Sequence, residues 1–165
     1  MTFRFAVGQD SHAFEKSTEK MFAKPLVLGG VVFDGYPCLS ANSDGDVILH
    51  ALTNAVSGIT CKNILGKVAD DMCKRGITDS AEYYRVALKD LAAIGGRLVN
   101  ISVSVEASRP KFAPKIDEIR HSLAALSGLP ENACGITATS GERLTSFGRG
   151  LGIAVIAAVT VSFED

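Results

Sequence analysis

The chain has 165 residues, 47% of them apolar and 21% charged, with a formal net charge of -1. That length suits one domain with its own core and excludes a disordered chain, while the near-neutral balance argues against a broad basic surface for nucleic acid or anionic membrane. The expectation is a single domain over 1–165, with no nucleic-acid or membrane partner.

The start, "MTFRFAVGQD", lacks the charged, apolar and small-residue sequence of a signal peptide. Cys38, Cys61, Cys73 and Cys134 show no C-x-x-C spacing and read as reduced thiols of a cytoplasmic protein. "FRFAVGQDSH" reads as a strand, in which Asp10 and His12, two positions apart, project from one face. "PLVLGGVVFDG" (25–35) reads as a hairpin around Gly29-Gly30. A helix is predicted over 43–59, with Ser43 as N-cap and Asp46 completing a capping box. The polar stretch 61–80 reads as a loop with one short helical turn. A second helix, 80–96, carries an apolar stripe of Tyr84, Leu88, Leu91 and Ile94 and ends at Gly95-Gly96. Residues 97–107 alternate as a strand, 113–129 form a third helix with Pro114 in its first turn, and 133–140 is another strand. The run "LGIAVIAAVTVSF" (151–163) is too short for a membrane span and rich in β-branched residues, so it reads as a strand buried on both faces. The class is therefore α/β (α+β), a sheet covered by helices on one face.

Asp10 and His12 have three readings: an edge-strand ion pair, a buried His–Asp hydrogen bond, or a ligand pair. His50 sits in the first helix, four residues after Asp46 on the same helical face. Alone it reads as a hydrogen-bonded core histidine. Together Asp10, His12 and His50 offer one carboxylate and two imidazoles, the donor set of a catalytic zinc with one open position. Spacing leaves their convergence open.

The segments "DSH" (10–12), "SDGDVILHALTNA" (43–55) and "TSGERLTSFGRGLGIA" (139–154) resemble, in order along nearly the whole chain, the 2-C-methyl-D-erythritol 2,4-cyclodiphosphate synthases of the non-mevalonate isoprenoid pathway. The resemblance implies a homotrimer of small α/β subunits around a central axis, with active sites at subunit boundaries. It implies a lyase reaction that cyclises 4-diphosphocytidyl-2-C-methyl-D-erythritol 2-phosphate and releases CMP. By the same resemblance Asp10, His12 and His50 hold Zn²⁺, and Glu142 is the protein ligand of a second ion, Mg²⁺ or Mn²⁺. Ser43, Asp44 and Gly45 match phosphate-binding positions at what reads as a helix start. Ala107, Lys111, Phe112 and Ala113 match the surroundings of the cytosine, and Ala138, Thr139 and Ser140 its contacts with base and phosphate. Arg149 resembles an arginine near the trimer axis.

The chain departs from the family at Asn42, where many relatives carry histidine, and at Asn63 or Ile64, where an acidic residue usually holds the ribose. The loop "VADDMCKR" and Leu151 differ as well. Two other functions stay open on the residues alone: a zinc-dependent phosphoesterase that activates water, and a non-catalytic trimer that binds a nucleotide or anion.

Overall fold

The computed structural model describes residues 1–164. Ten elements carry the fold: β1 (Thr2–Ala13), β2 (Leu26–Leu28), β3 (Val31–Phe33), α1 (Val47–Thr60), α2 (Lys67–Lys74), α3 (Ser80–Ala93), β4 (Gly96–Glu106), α4 (Ile116–Ser127), β5 (Cys134–Thr139) and β6 (Gly152–Phe163). The main sheet runs β1-β6-β4-β5. β1 pairs antiparallel with β6 along its whole length, from Thr2 opposite Phe163 to Ala13 opposite Gly152. β4 is antiparallel to β6 and parallel to β5. β2 and β3 form the expected hairpin, turning at Gly29 and Gly30 with φ of 63° and 78°, a region side-chain-bearing residues avoid.

α1 is buried almost all round, with Leu49, Leu52, Val56 and Ile59 among its inward side chains. A helix that is apolar on every side belongs at the centre of a fold, and α1 lies against β1 and β6 with α3 packed on it. Ile153, Val155, Ala157, Val159 and Val161 of β6 and Ile101, Val103 and Val105 of β4 supply the sheet half of this core. The helices cover one face of the sheet. On the other face Phe3, Phe5, Val7 and Ile156 remain 52–65% exposed, and Ser102 and Ser104 are exposed with them.

Five local expectations change. α1 begins at Val47 with Asp46, not Ser43, as its cap. The Asp46 carboxylate accepts N–H groups from Ile48 and Leu49, and also from Gly29 and Gly30 of the hairpin turn at 2.8 and 2.7 Å. Only this position serves both elements. The stretch 61–80 contains the two-turn helix α2, whose Ala69 and Met72 are buried three residues apart. α3 ends at Ala93, so Ile94 is an exposed cap residue outside the stripe, and Tyr83, Tyr84, Ala87 and Leu91 carry the packing. β6 is buried on one face only, because no layer of the chain lies over Ile156. α4 starts at Ile116, with Pro114 in a preceding 3₁₀ turn, Ala113–Lys115.

Candidate active site

Gly8 brings α1 to the site. A Cβ at this position would lie 2.2 Å from the backbone nitrogen of Ala55 and 2.3 Å from the carbonyl of Ala51. The bare backbone therefore lets α1 rest directly on β1. One turn towards the start of α1, His50 then reaches the strand two residues beyond Gly8. His50 Nδ1 lies 3.0 Å from Asp10 Oδ2 and 3.1 Å from His12 Nε2, and His12 Nε2 lies 3.0 Å from the same carboxylate oxygen. His50 is buried, while Asp10 and His12 are half-buried. Partial burial would raise the Asp10 carboxyl, but hydrogen bonds and charge from His12 and His50 outweigh it and hold the group well below the usual carboxylate range.

These contacts test the cluster as a metal site. Three ligand atoms around a zinc ion at about 2.0–2.1 Å stand roughly 3.3 Å apart in tetrahedral geometry. The observed separations of 3.0–3.1 Å are close to that. One ionised carboxylate and two imidazoles fit a divalent ion with borderline nitrogen and oxygen preferences. His121, in contrast, is exposed on α4 beside Glu131 at 2.8 Å.

The cluster lies in the wall of a cavity of about 970 Å³ that also exposes Lys20, Lys24, Asn42 and Ser43. The Lys24 ammonium donates to the carbonyls of Ala41, at 2.7 Å, and Ser43, and so pins the loop on both sides of Asn42. α2 and its approach form the opposite wall through Leu65, Gly66, Ala69 and Cys73. At the place where relatives usually carry an acidic residue, Ile64 is a core residue, 3% exposed among apolar neighbours, and Asn63 is exposed; neither lines the cavity.

The stretch Ser43-Asp44-Gly45 is not a helix start with free N–H groups. Asp44 N–H donates to the Thr78 carbonyl at 2.8 Å and Gly45 N–H to Ser43 Oγ at 3.1 Å. The Asp44 carboxylate turns to Ser80, accepting its N–H at 3.1 Å and its hydroxyl proton. Ser80, which no motif singled out, is buried and stands 2.9 Å from His50 Nε2. The cue available in the sequence was its place beside Asp79, the cap of α3.

The remaining candidates gather elsewhere. Ala107 N–H donates to the Thr139 carbonyl at 3.0 Å, joining the ends of β4 and β5. Ser140 Oγ donates to Glu142 Oε1 at 2.7 Å, and Glu142 is held at φ 46° on an exposed turn. Glu142 has no ion pair with Arg143 among the described residues. Ala107 and Phe112 are buried, Phe112 with its ring 5.5 Å from that of Phe33, while Lys111, Ala113 and Ala138 are exposed. Arg149 is folded onto its own loop, donating to the Leu144 carbonyl and Ser146 Oγ. Registers align Asp10 with Val155, Val155 with Val105 and Val105 with Ala138. Asp10 on β1 and Ala138 on β5 thus sit on opposite edges of the sheet, about 14 Å apart at three strand spacings, and none of the second group lines the cavity.

Residues 3–162 match the model of the YgbB family. A 2-C-methyl-D-erythritol 2,4-cyclodiphosphate synthase of Chlamydia caviae is 43% identical over 161 residues, covering 97% of this chain and 89% of that protein. Among solved structures, the bifunctional IspDF of Campylobacter jejuni superposes with a TM-score of 0.87 at 30% identity; 99% of this chain is covered, and it spans 43% of the IspDF chain. A 2C-methyl-D-erythritol-2,4-cyclodiphosphate synthase in its CDP-bound form superposes with a TM-score of 0.81 at 27% identity, over 96% of this chain and all of that one. With a full-length family match and a synthase relative at this identity, the chain belongs to the YgbB family of 2-C-methyl-D-erythritol 2,4-cyclodiphosphate synthases.

Proposed function

We propose that the protein cyclises 4-diphosphocytidyl-2-C-methyl-D-erythritol 2-phosphate to the 2,4-cyclodiphosphate with release of CMP, in isoprenoid precursor synthesis. The observation that carries this reading is the Asp10–His12–His50 cluster opening on a cavity lined also by Lys20 and Lys24, with Glu15 and Asp70. In the reaction an oxygen of the 2-phosphate bonds to the β-phosphorus, the bond from that phosphorus to the bridging oxygen breaks, and CMP departs with the electron pair. Both reacting groups belong to one molecule, so no protein nucleophile is needed. The work left to the chain is to fold the substrate and to offset phosphate charge.

Asp10, His12 and His50 would hold Zn²⁺, and Glu142 would be the protein's ligand to a Mg²⁺ or Mn²⁺ whose other ligands come from phosphates and water. Bound there, these ions supply Lewis-acid polarisation and charge neutralisation at the diphosphate. Lys24, anchored to two carbonyls, presents a fixed positive charge beside Asn42. Ser43 lines the cavity with its hydroxyl 3.4 Å from His50 Nε2. Ala107, Lys111, Phe112, Ala113, Ala138, Thr139 and Ser140 form the nucleotide half, with the buried Phe112 acting as its floor.

The reading includes a homotrimer. An apolar strip of Phe3, Phe5, Val7 and Ile156 is what an unpartnered sheet face needs to seat another copy. The 14 Å between Asp10 and Ala138 is bridged when the nucleotide half of one subunit meets the cluster of the next. A cytoplasmic setting accords with the four free cysteines, and no helix among the described residues is long and apolar enough to cross a membrane.

The test is to incubate purified protein with the diphosphocytidyl substrate and Zn²⁺ plus Mg²⁺, following CMP by chromatography and phosphorus by NMR. Equal yields of CMP and a cyclic diphosphate are expected. Linear phosphates in place of the ring would favour the phosphoesterase, and no turnover at all would favour a binding protein.

A further inference from the structure

The two ring nitrogens of His50 face different surroundings. Nδ1 points into the cluster with Asp10 and His12, whereas Nε2 faces two serine hydroxyls, 2.9 Å from Ser80 Oγ and 3.4 Å from Ser43 Oγ. Ser80 is fully buried, so water does not compete for its hydroxyl. That hydroxyl meets the Asp44 carboxylate at close range, and a carboxylate only accepts. The Ser80 proton therefore lies towards Asp44, and the serine lone pairs face His50. A lone pair there calls for a proton on Nε2. Ser43 Oγ, which accepts the Gly45 N–H, stands farther from Nε2 at 3.4 Å. With Nε2 protonated, a neutral ring keeps its free electron pair on Nδ1, which is the nitrogen aimed at Asp10 and His12.

We propose that Asp44 and Ser80 form a relay that fixes the tautomer and ring orientation of His50 and so presents Nδ1 to a divalent metal. Both are positioning residues, absent from the cavity wall, and the inference rests on reading Asp10, His12 and His50 as metal ligands. The relay also links three elements, because Asp44 precedes α1, Ser80 opens α3 and His50 lies within α1. Outer partners of this kind commonly set metal affinity within 10–100-fold.

Ser80→Ala deletes the hydroxyl but keeps the backbone N–H that Asp44 accepts and the Asp79 cap of α3. Zinc affinity of the purified protein is measured by competition with a chromophoric chelator, alongside sedimentation and thermal unfolding. The expected result is Zn²⁺ binding weakened roughly 10–100-fold, with assembly unchanged. Asp44→Asn should weaken binding too, and the double variant should be no weaker than Ser80→Ala alone, since both act through one hydrogen bond. Long-range ¹H–¹⁵N NMR on metal-free protein adds a readout that needs no metal: His50 carries its proton on Nε2 in the wild type and on a mixture of the two nitrogens in Ser80→Ala. If Ser80→Ala does not fold, Asp44→Asn carries the same two measurements. Unchanged zinc affinity in the variants, or an Nδ1–H tautomer in the wild type, overturns the relay while leaving the metal site standing. A wild type that takes up no zinc, compared with His50→Ala as the blank, overturns the metal site itself.

Discussion

Replacing Gly8 by alanine perturbs the Asp10–His12–His50 cluster through a residue outside it. The added Cβ would sit 2.2 Å from Ala55 N and 2.3 Å from Ala51 O. Restoring ordinary contact at about 3.5 Å requires strand and helix to separate by roughly 1.3 Å. Both colliding atoms are backbone, so no rotamer change relieves the contact, and α1 must lift or β1 must bend. Overpacking of this kind costs roughly 1–3 kcal/mol, and the upper end applies because the obstacle is helix backbone. At about 2–4 °C per kcal/mol for a chain of this size, the thermal midpoint should fall by roughly 6–12 °C. The lift also moves His50 relative to Asp10 and His12, and ligand distances in metal sites tolerate only about ±0.2 Å. Zinc affinity should therefore drop at least tenfold even at temperatures where the variant stays folded. Calorimetry gives the midpoint and chelator competition gives the affinity. A Gly8→Ala protein with wild-type values for both would refute the claim that bare backbone at position 8 sets the helix height.

Glu142→Gln keeps shape and removes charge on an exposed turn where, among the described residues, the carboxylate's hydrogen-bond partner is Ser140; CMP release should fall about a hundredfold, with zinc content intact, and near-normal turnover would return Glu142 to ordinary surface. Burial pushes the Asp46 carboxyl up to about 6, against the pull of the Gly30, Gly29 and Leu49 N–H groups and with a further push from Asp44. A folded-state value above the unfolded one means that this group favours folding most below about pH 4 and loses that contribution as pH rises through 6, in all about 3 kcal/mol. Urea midpoints from pH 4 to 7.5 should accordingly show wild type losing stability relative to Asp46→Asn as pH rises, and parallel curves would exclude the effect. Phe5→Asp places a charge in the middle of the exposed apolar strip; under the proposed homotrimer, the variant should sediment as smaller species than the wild type at micromolar concentration.

Much of the fold could be read from periodicity because the long elements have clean patterns: alternation along 97–107, the apolar helix after Asp46, the hairpin at Gly29-Gly30. What escaped depended on distant partners. Ser43 and Asp46 are both good caps locally, and the choice falls to Asp46 because the hairpin turn brings two further N–H groups to the same carboxylate. α2 was hidden because its buried side is only Ala69 and Met72 within charged residues. At the site, the i, i+2 spacing placed Asp10 and His12 on one face, but the approach of His50 depends on how closely α1 docks, which Gly8 decides. The family motifs supplied Glu142 and the nucleotide residues, which neither spacing nor a single chain joins to the cluster. Ser80 carried no motif and becomes meaningful only when three separate elements meet around His50.

The full-length pairing of β1 with β6 has a kinetic side. β1 and β6 are neighbours in the sheet, so residues 2–13 and 152–163 close a loop between distant parts of the sequence. During synthesis, residues 2–13 emerge early and wait unpaired until 152–163 follow. At roughly 5–20 residues per second that delay is of the order of ten seconds. Over that interval the strand bearing Asp10 and His12 has open hydrogen-bonding groups on both edges and three large apolar side chains on one face. Contacts so distant in sequence also slow the search for the native state once the chain is complete. A nascent chain should consequently be most prone to self-association just before residues 152–163 leave the ribosome, and ribosome-bound fragments ending near residue 150 should bind chaperones more strongly than those ending near 60.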